Sequence, residues 1–218
     1  MSKNQFLILL HHIFLILGLI YYGFNIWYVL PIFLASMFWA KFVGSDIMHF
    51  YFAHGKYKDC LKSYFYTILT LCTSLGSPLS FSASHRQHHK HTDTEKDPHS
   101  PVIIGWKRVY LLDWKGQNIS PLIIRDFITS KFQKTVHKYW LQFHIVIISL
   151  IAMIDIRLIC FLISPFIIYS FHASGLVNTL CHINGEPKNV HWQKFINWWG
   201  WDHGDHHEYE LKKINNSN

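Results

Sequence analysis

Four apolar runs constrain this 218-residue chain more than any other feature. Residues 6–22 are interrupted only by His11 and His12, and a turn at 23–25 leads into an aromatic-rich second run at 26–43. Residues 140–154 form a third run. Asp155 and Arg157 bracket a short connection to the fourth, 158–180. A bilayer-spanning helix needs about 20 apolar residues, with a range of roughly 17–25. The first and third runs lie at or below the short end. The expected fold is an all-α integral membrane protein, a single domain over 1–218 with four transmembrane helices. The remaining stretches, 44–139 and 181–218, are expected to form a cap at one membrane face.

Composition supports that class. Half of the residues are hydrophobic and 15% are charged, against about 25% in soluble domains. The 20 Lys and Arg against 13 Asp and Glu leave a formal charge of +7, nearly all of it outside the runs. By the positive-inside rule, both termini and the long middle segment are expected on the cytosolic side. The apolar runs make nucleic acid the poorest partner for this charge and membrane lipid a better one. Cys60, Cys72, Cys160 and Cys181 are scattered without a CxxC pair and read as reduced thiols. The first run lacks a small-x-small exit and a second follows at once, so it reads as a span and not a cleaved signal.

The stretch "YFYTILTLCTSLGSPLSF", 64–81, is also apolar. A crossing there would separate His49 and His54 from His85, His88 and His89. It is read instead as a helix lying in or dipping into the interface and broken at Gly76-Ser77-Pro78.

Histidine spacing points to the chemistry. "HFYFAH" supplies His49 and His54, "HRQHH" supplies His85, His88 and His89, "NTLCH" supplies Asn178 and His182, and "HGDHH" supplies His203, His206 and His207. HxxHH occurs twice, and residues at i, i+3 and i+4 share one helical face. His49 and His54 are i, i+5, about 140° apart on an ideal α-helix, so using both requires a bend or two different metals. Neutral imidazole is the commonest metal ligand and suits zinc, copper, iron and nickel. Nine boxed histidines exceed one ion's needs; two ions with four or five nitrogens each fit. No thiolate except Cys181 lies near the boxes, which argues against a structural zinc site. Isolated His11, His12, His137, His144 and His172 read as polar anchors near the interface. His91, His99 and His191 read as solvated or as neighbours of the ligands. Asp46, Asp93, Asp97, Asp202 and Asp205 are candidates, by proximity alone, for orienting the rings. Trp39, Trp106, Trp198, Trp199 and Trp201 read as interfacial aromatics in preference to a substrate tunnel.

Taken in order, "HFYFAH", "HRQHH…DPH", "NTLCH" and "HGDHH" resemble the histidine boxes of the membrane fatty acid desaturase family, in particular its acyl-CoA, delta-9-like branch. The likeness runs from about residue 40 to 208. It implies four spans with a cytosolic cap and a di-iron centre. Carried residue by residue, the implied metal ligands are His49, His54, His85, His88, His89, His182, His203, His206 and His207, with Asn178 reaching a metal through water. No catalytic residue is implied beyond these. The implied reaction is O2-dependent insertion of a cis double bond into an acyl-CoA or acyl-lipid chain. Two external electrons come from a separate donor of the ferredoxin or cytochrome b type. The resemblance also keeps 64–81 on the cytosolic side. The membrane is expected to be the plasma membrane in a bacterium and the endoplasmic reticulum in a eukaryote.

Two alternatives stay open. One is a di-iron hydroxylase of lipid, sterol or alkane, or a carotenoid ketolase, although the DPH and NxxxH elements favour desaturation. The other is a membrane metal transporter or store, which would place its ligands inside the spans. The boxes lie at or beyond the span ends, which counts against it. The ferritin-like di-iron class requires E-x-x-H, and the chain has none.

Overall fold

A computed structural model describes residues 2–73, 75–113, 119–192 and 202–215. These are helices, turns and connections, with no strand among the described residues. Trp198, Trp199 and Trp201 lie outside them. The chain divides into two compact units, one built from Met1–Ser82 and Ile124–Phe171, the other from Ala83–Ile123 and His172–Asn218.

The first unit begins with α1, Lys3–Tyr22. Ser2 opens it with a capping box: its hydroxyl accepts from Gln5 N at 3.2 Å, and the Gln5 side-chain Oε1 accepts from Ser2 N at 2.9 Å. Gly23, at φ 79°, ends it. The Asn25 side chain then caps α2, Ile26–Trp39. α2 runs straight into a π-helical segment, Ala40–His54. α8, Lys131–Ile154, starts at the Ser130 cap and kinks at Tyr139, where φ is −117°. The apolar run beginning at Trp140 is therefore the second half of a longer helix whose first half is polar. After α9, Ile156–Leu158, a second π segment, Ile159–Ile163, leads into α10, Ser164–Leu180.

Four helical stretches are long and apolar enough to cross a bilayer: Lys3–Tyr22, Val29–His54, Lys131–Ile154 and Ile156–Leu180. Each extends beyond the run that announced it, because polar residues at the ends find local partners. Lys41 and Asp46, for instance, pair at 3.1 Å within the second stretch. Large apolar side chains point outward: Ile20 is 75% exposed, Met153 82% and Ile154 79%. Water would not tolerate that arrangement over whole helices, whereas lipid does. The chain is an all-α integral membrane protein.

The core of this unit gathers Ala40, Val43, Ile159, Ile163, Phe166 and Ile167. α1 packs closely here; a Cβ on Gly18 would lie 2.6 Å from that of Cys160, so only glycine permits the approach.

The 64–81 stretch forms α3, Leu61–Thr70, and the start of α4, Pro78–Lys90. Ten residues of helix rise about 15 Å, half of a bilayer core. α3 is amphipathic in the inverse sense: Ser63, Thr67 and Thr70 are fully buried while Phe65 and Ile68 are about half exposed. The Thr67 and Thr70 hydroxyls donate to the helix's own carbonyls and the Ser63 hydroxyl to the Lys58 carbonyl before it, and Thr67 also accepts from Gln133 Nε2 of α8 at 2.7 Å. Polar-in, apolar-out is the pattern for a helix whose outer solvent is lipid.

The isolated histidines depart from the anchor reading. His11 and His144 are 1% and 2% exposed. His11 Nδ1 lies 2.9 Å from Ser164 Oγ, His144 Nδ1 donates to the Leu71 carbonyl, and His137 Nδ1 lies 2.9 Å from Ser77 Oγ. These rings tie helices together, because a half-polar ring gains more from a hydrogen bond inside the bundle than from a distant headgroup. His12 bonds its own helix at the Ile8 carbonyl, and His172 bonds the Tyr110 hydroxyl.

Candidate metal centre

In the second unit, three pieces of chain deliver imidazoles. α4 ends in the HRQHH box, placing His85, His88 and His89 on its last turns. The end of α10 leads to His182. A final helix, α11, His203–Asn215, carries HGDHH on its first turns. Between α4 and α5, Pro101–Ile104, the loop "HTDTEKDPHS" folds under the α4 rings. Asp93 takes a left-handed conformation at φ 57°, which aspartate tolerates better than most residues. α6, Trp106–Tyr110, follows.

The ligand atoms of His88, His182 and His207 all lie within 4.8 Å of one another. His88 Nε2 faces His207 Nε2 at 3.3 Å, and His182 Nε2 faces His203 Nε2 at 2.7 Å. His85 and His89, one turn apart, bring their Nε2 atoms to 3.0 Å, and the His206 ring stands 4.9 Å from that of His89. Two nitrogens about 2.1 Å from one ion and at right angles to each other are about 3.0 Å apart. The observed pairs therefore have the spacing of ligands sharing an ion.

The opposite nitrogens explain the orientation. His88 Nδ1 lies 2.7 Å from Asp97 Oδ2, and His182 Nδ1 lies 2.8 Å from Asp93 Oδ2. A carboxylate accepts, so each Nδ1 carries the proton and each Nε2 keeps its lone pair for a metal. The carboxylates are themselves fixed. Asp97 accepts from the backbone of Asp93 and of His99, and Asp93 accepts from Ser100 Oγ at 2.6 Å.

Electrostatics keep the rings in ligand form. Burial, and then the neighbouring imidazoles, push His88 and His207 far below the ordinary histidine range. Burial lowers His99 to about 3. Burial lifts the Asp97 carboxyl to about 6, still ionised at neutral pH, while backbone N–H groups oppose the rise. Burial also works against the Asp93 charge, but the bonds from His182 and Ser100 outweigh it and hold Asp93 below the usual range. Neutral imidazoles backed by two carboxylates suit a divalent cation, and iron is among the metals that imidazole sites accept.

In the first unit, His49 and His54 lie on the π segment. An i→i+5 hydrogen-bonding pattern places residues five apart on one face, and their Nε2 atoms stand 3.1 Å apart. The 140° divergence expected on an α-helix is removed without a bend. Asn178 is half-buried on α10, one turn before His182. His191 is exposed, as expected. His99 is buried and stacks on His88, ring centroids 4.1 Å apart; the DPH spacing was the signal for it. Of the five acid candidates, Asp93 and Asp97 hold rings, whereas Asp46 pairs with Lys41 and Asp205 bonds Asn189.

Helices that suit lipid and an all-nitrogen histidine cluster with carboxylate backing define a membrane protein with a histidine cluster able to hold a metal. No family model matches the chain. Curated proteins do resemble it. An acyl-CoA C20 Delta5-desaturase of Anemone leveillei is 28% identical over 192 residues, covering 76% of this chain and 56% of that protein. A delta-9 acyl-lipid desaturase 2 of Arabidopsis thaliana is 28% identical over 181 residues, 72% and 56% of the two chains. An icosanoyl-CoA 5-desaturase of Limnanthes douglasii is 25% identical over 203 residues, 79% and 56%. At 25–28% identity, these likenesses support the resemblance to the membrane fatty acid desaturases that the boxes carry. The chain spans about half the length of the curated relatives it matches.

Proposed function

We propose that the protein is an O2-dependent fatty acyl desaturase that converts a –CH2–CH2– pair of an acyl-CoA or acyl-lipid chain into a cis –CH=CH–. Oxygen is reduced to two waters with two external electrons and two protons. The observation that carries the reading is the convergence of His88, His182, His203 and His207, with Asp93 and Asp97 fixing two of the rings. Desaturase relatives of both acyl-CoA and acyl-lipid type support it.

The reading assigns two irons to nine histidines, His49, His54, His85, His88, His89, His182, His203, His206 and His207, four or five nitrogens to each ion. Asn178 reaches a metal through water. Bound iron would supply the O2 chemistry strong enough to cut an unactivated C–H bond. The protein's share is position and dryness. His88, His182 and His207 are at most 1% exposed, so bulk water is excluded from that set. The aspartates hold the protons on Nδ1 and prevent the rings from turning. The reading also puts both termini and the polar segments on the cytosolic side, where a separate acidic donor meets the basic surface around Lys107 and Arg108.

The test is expression in a host that lacks its own desaturase, followed by mass analysis of total fatty acids. Products two hydrogens lighter are expected. Products one oxygen heavier would make the protein a hydroxylase, and an unchanged profile with iron bound would reject fatty acyl chains as the substrate. Cysteine labels near residues 58 and 91 are expected to report the same membrane side; opposite sides would reject a centre shared by the first two boxes.

A further inference from the structure

The helix that carries the last histidine box is held from outside itself. Its three ligands fall within its first five residues, where a helix has amide groups without intrahelical partners and its first turn tends to open. The connection leaving His182 folds back on α10: Gly185 N donates to the His182 carbonyl at 3.0 Å and Lys188 N to the Cys181 carbonyl at 2.8 Å. The next residue is Asn189. Its Oδ1 accepts from Gly204 N at 2.7 Å and from Asp205 N at 3.3 Å, and its Nδ2 donates to Asp205 Oδ1 at 2.9 Å. The following amide, that of His206, is taken by the Asp202 carbonyl. Gly204 is part of the fit. A Cβ there would stand 3.0 Å from Asn189 Oδ1 and 3.3 Å from the Pro187 carbonyl.

We propose that Asn189 is a positioning residue for the metal centre, fastening the start of the HGDHH helix to the loop that leaves His182. This rests on the reading that the boxed histidines hold metal. One amide side chain cements two ligand-bearing segments whose nearest nitrogens, on His182 and His203, are 2.7 Å apart. Only an amide does both tasks here. A serine hydroxyl is too short to span both partners, and an aspartate would cap the amides but face the Asp205 carboxylate with no proton to donate.

The experiment uses the full chain in nanodiscs, with anaerobic Fe2+ titration against a competing chelator and amide hydrogen exchange on the metal-free protein. Unmodified protein is expected to take two irons. If it takes none, the metal reading fails, whereas the exchange data still report on the cap. Asn189→Ala is expected to bind iron about tenfold more weakly, at the lower end of outer-partner losses, with unchanged stoichiometry at saturation. The Gly204 and Asp205 amides are expected to exchange faster. Asn189→Asp is expected to weaken binding as well. Adding Asp205→Asn to it exchanges donor and acceptor and restores affinity, a recovery that a general loss of stability would not show. Unchanged affinity in Asn189→Ala, with or without faster exchange, overturns the positioning role. So does a double variant that stays weak.

Discussion

Two sets of hydrogen-bonded histidines share this molecule and differ in what the second ring nitrogen meets. In the membrane-facing unit, His11, His137 and His144 hold a serine hydroxyl, a serine hydroxyl and a backbone carbonyl, all neutral. In the other unit, His88 and His182 hold carboxylates, and their free nitrogens converge on other imidazoles. Burial alone therefore does not make a histidine a ligand. A neutral partner turns the ring into a cross-brace between helices. A charged partner fixes the tautomer, raises basicity and offsets a cation. The His11 and His144 Nε2 atoms also meet no hydrogen-bond partner among the described residues, whereas those of His88 and His182 each face another imidazole nitrogen.

That contrast is most directly broken by deletion. His88→Ala and His207→Ala are expected to abolish desaturation and to lower iron affinity by more than the 10–100-fold typical of an outer partner. His11→Ala is expected to retain two irons per chain. Metal analysis after anaerobic loading separates them; equal iron in all three would erase the distinction between brace and ligand.

Neutralising the carboxylate is the finer version. Asp97→Asn keeps size and shape but removes the charge behind His88. Iron affinity is expected to fall 10–100-fold, with little change in the melting temperature of the metal-free protein. Wild-type affinity in this variant would show that the charge does not tune the ligand.

Acid sharpens the comparison on the metal-free protein. Unfolded imidazoles take up a proton near pH 6.5, whereas His88, His99 and His207 do so only at much lower pH when folded. In that window the unfolded chain holds more protons, so stability falls as pH drops below about 6.5, by up to about 1.4 kcal/mol per unit for each ring. Asp97, lifted to about 6, works the other way below that pH, because the fold protonates it first. Three rings against one carboxyl predict net loss between pH 7.5 and 5.5 in thermal melts. A flat profile would mean that the rings are already charged in the fold.

The smallest expected effect lies on the brace side. His144→Phe removes the bond to the Leu71 carbonyl, leaving a buried acceptor unpaired, at a cost of about 1–3 kcal/mol. Melting in detergent is expected to shift down while iron content holds. Loss of iron would join His144 to the metal centre.

Much of the centre was legible in one dimension because an α-helix repeats every 3.6 residues. HxxHH needs no tertiary information to present three rings together, and both copies do so. The DPH element hinted at Asp97 and His99 for a less general reason: a short loop beside a ligand helix stays near it. Illegible were the features set by chain segments far apart or by departures from ideal helix. The i, i+5 pair looked divergent because the π segment has no sequence signature that spacing detects. Asn189 lies 14 positions before the box it caps, beyond the reach of a local capping pattern.

By itself, the sequence determined the solvent and the ligand type. Long apolar runs cannot be hidden within 218 residues, so lipid had to cover them, and clustered imidazole in helical register had to present nitrogen donors. Tertiary structure decided which histidines gather into a cluster able to hold a metal. His88 and His144 are equally buried and chemically identical. They differ because the turn at Asp93, held at positive φ, brings carboxylates beneath α4, while His144 on α8 meets a backbone carbonyl. That choice depends on the paths of separate segments through space, which local periodicity does not encode.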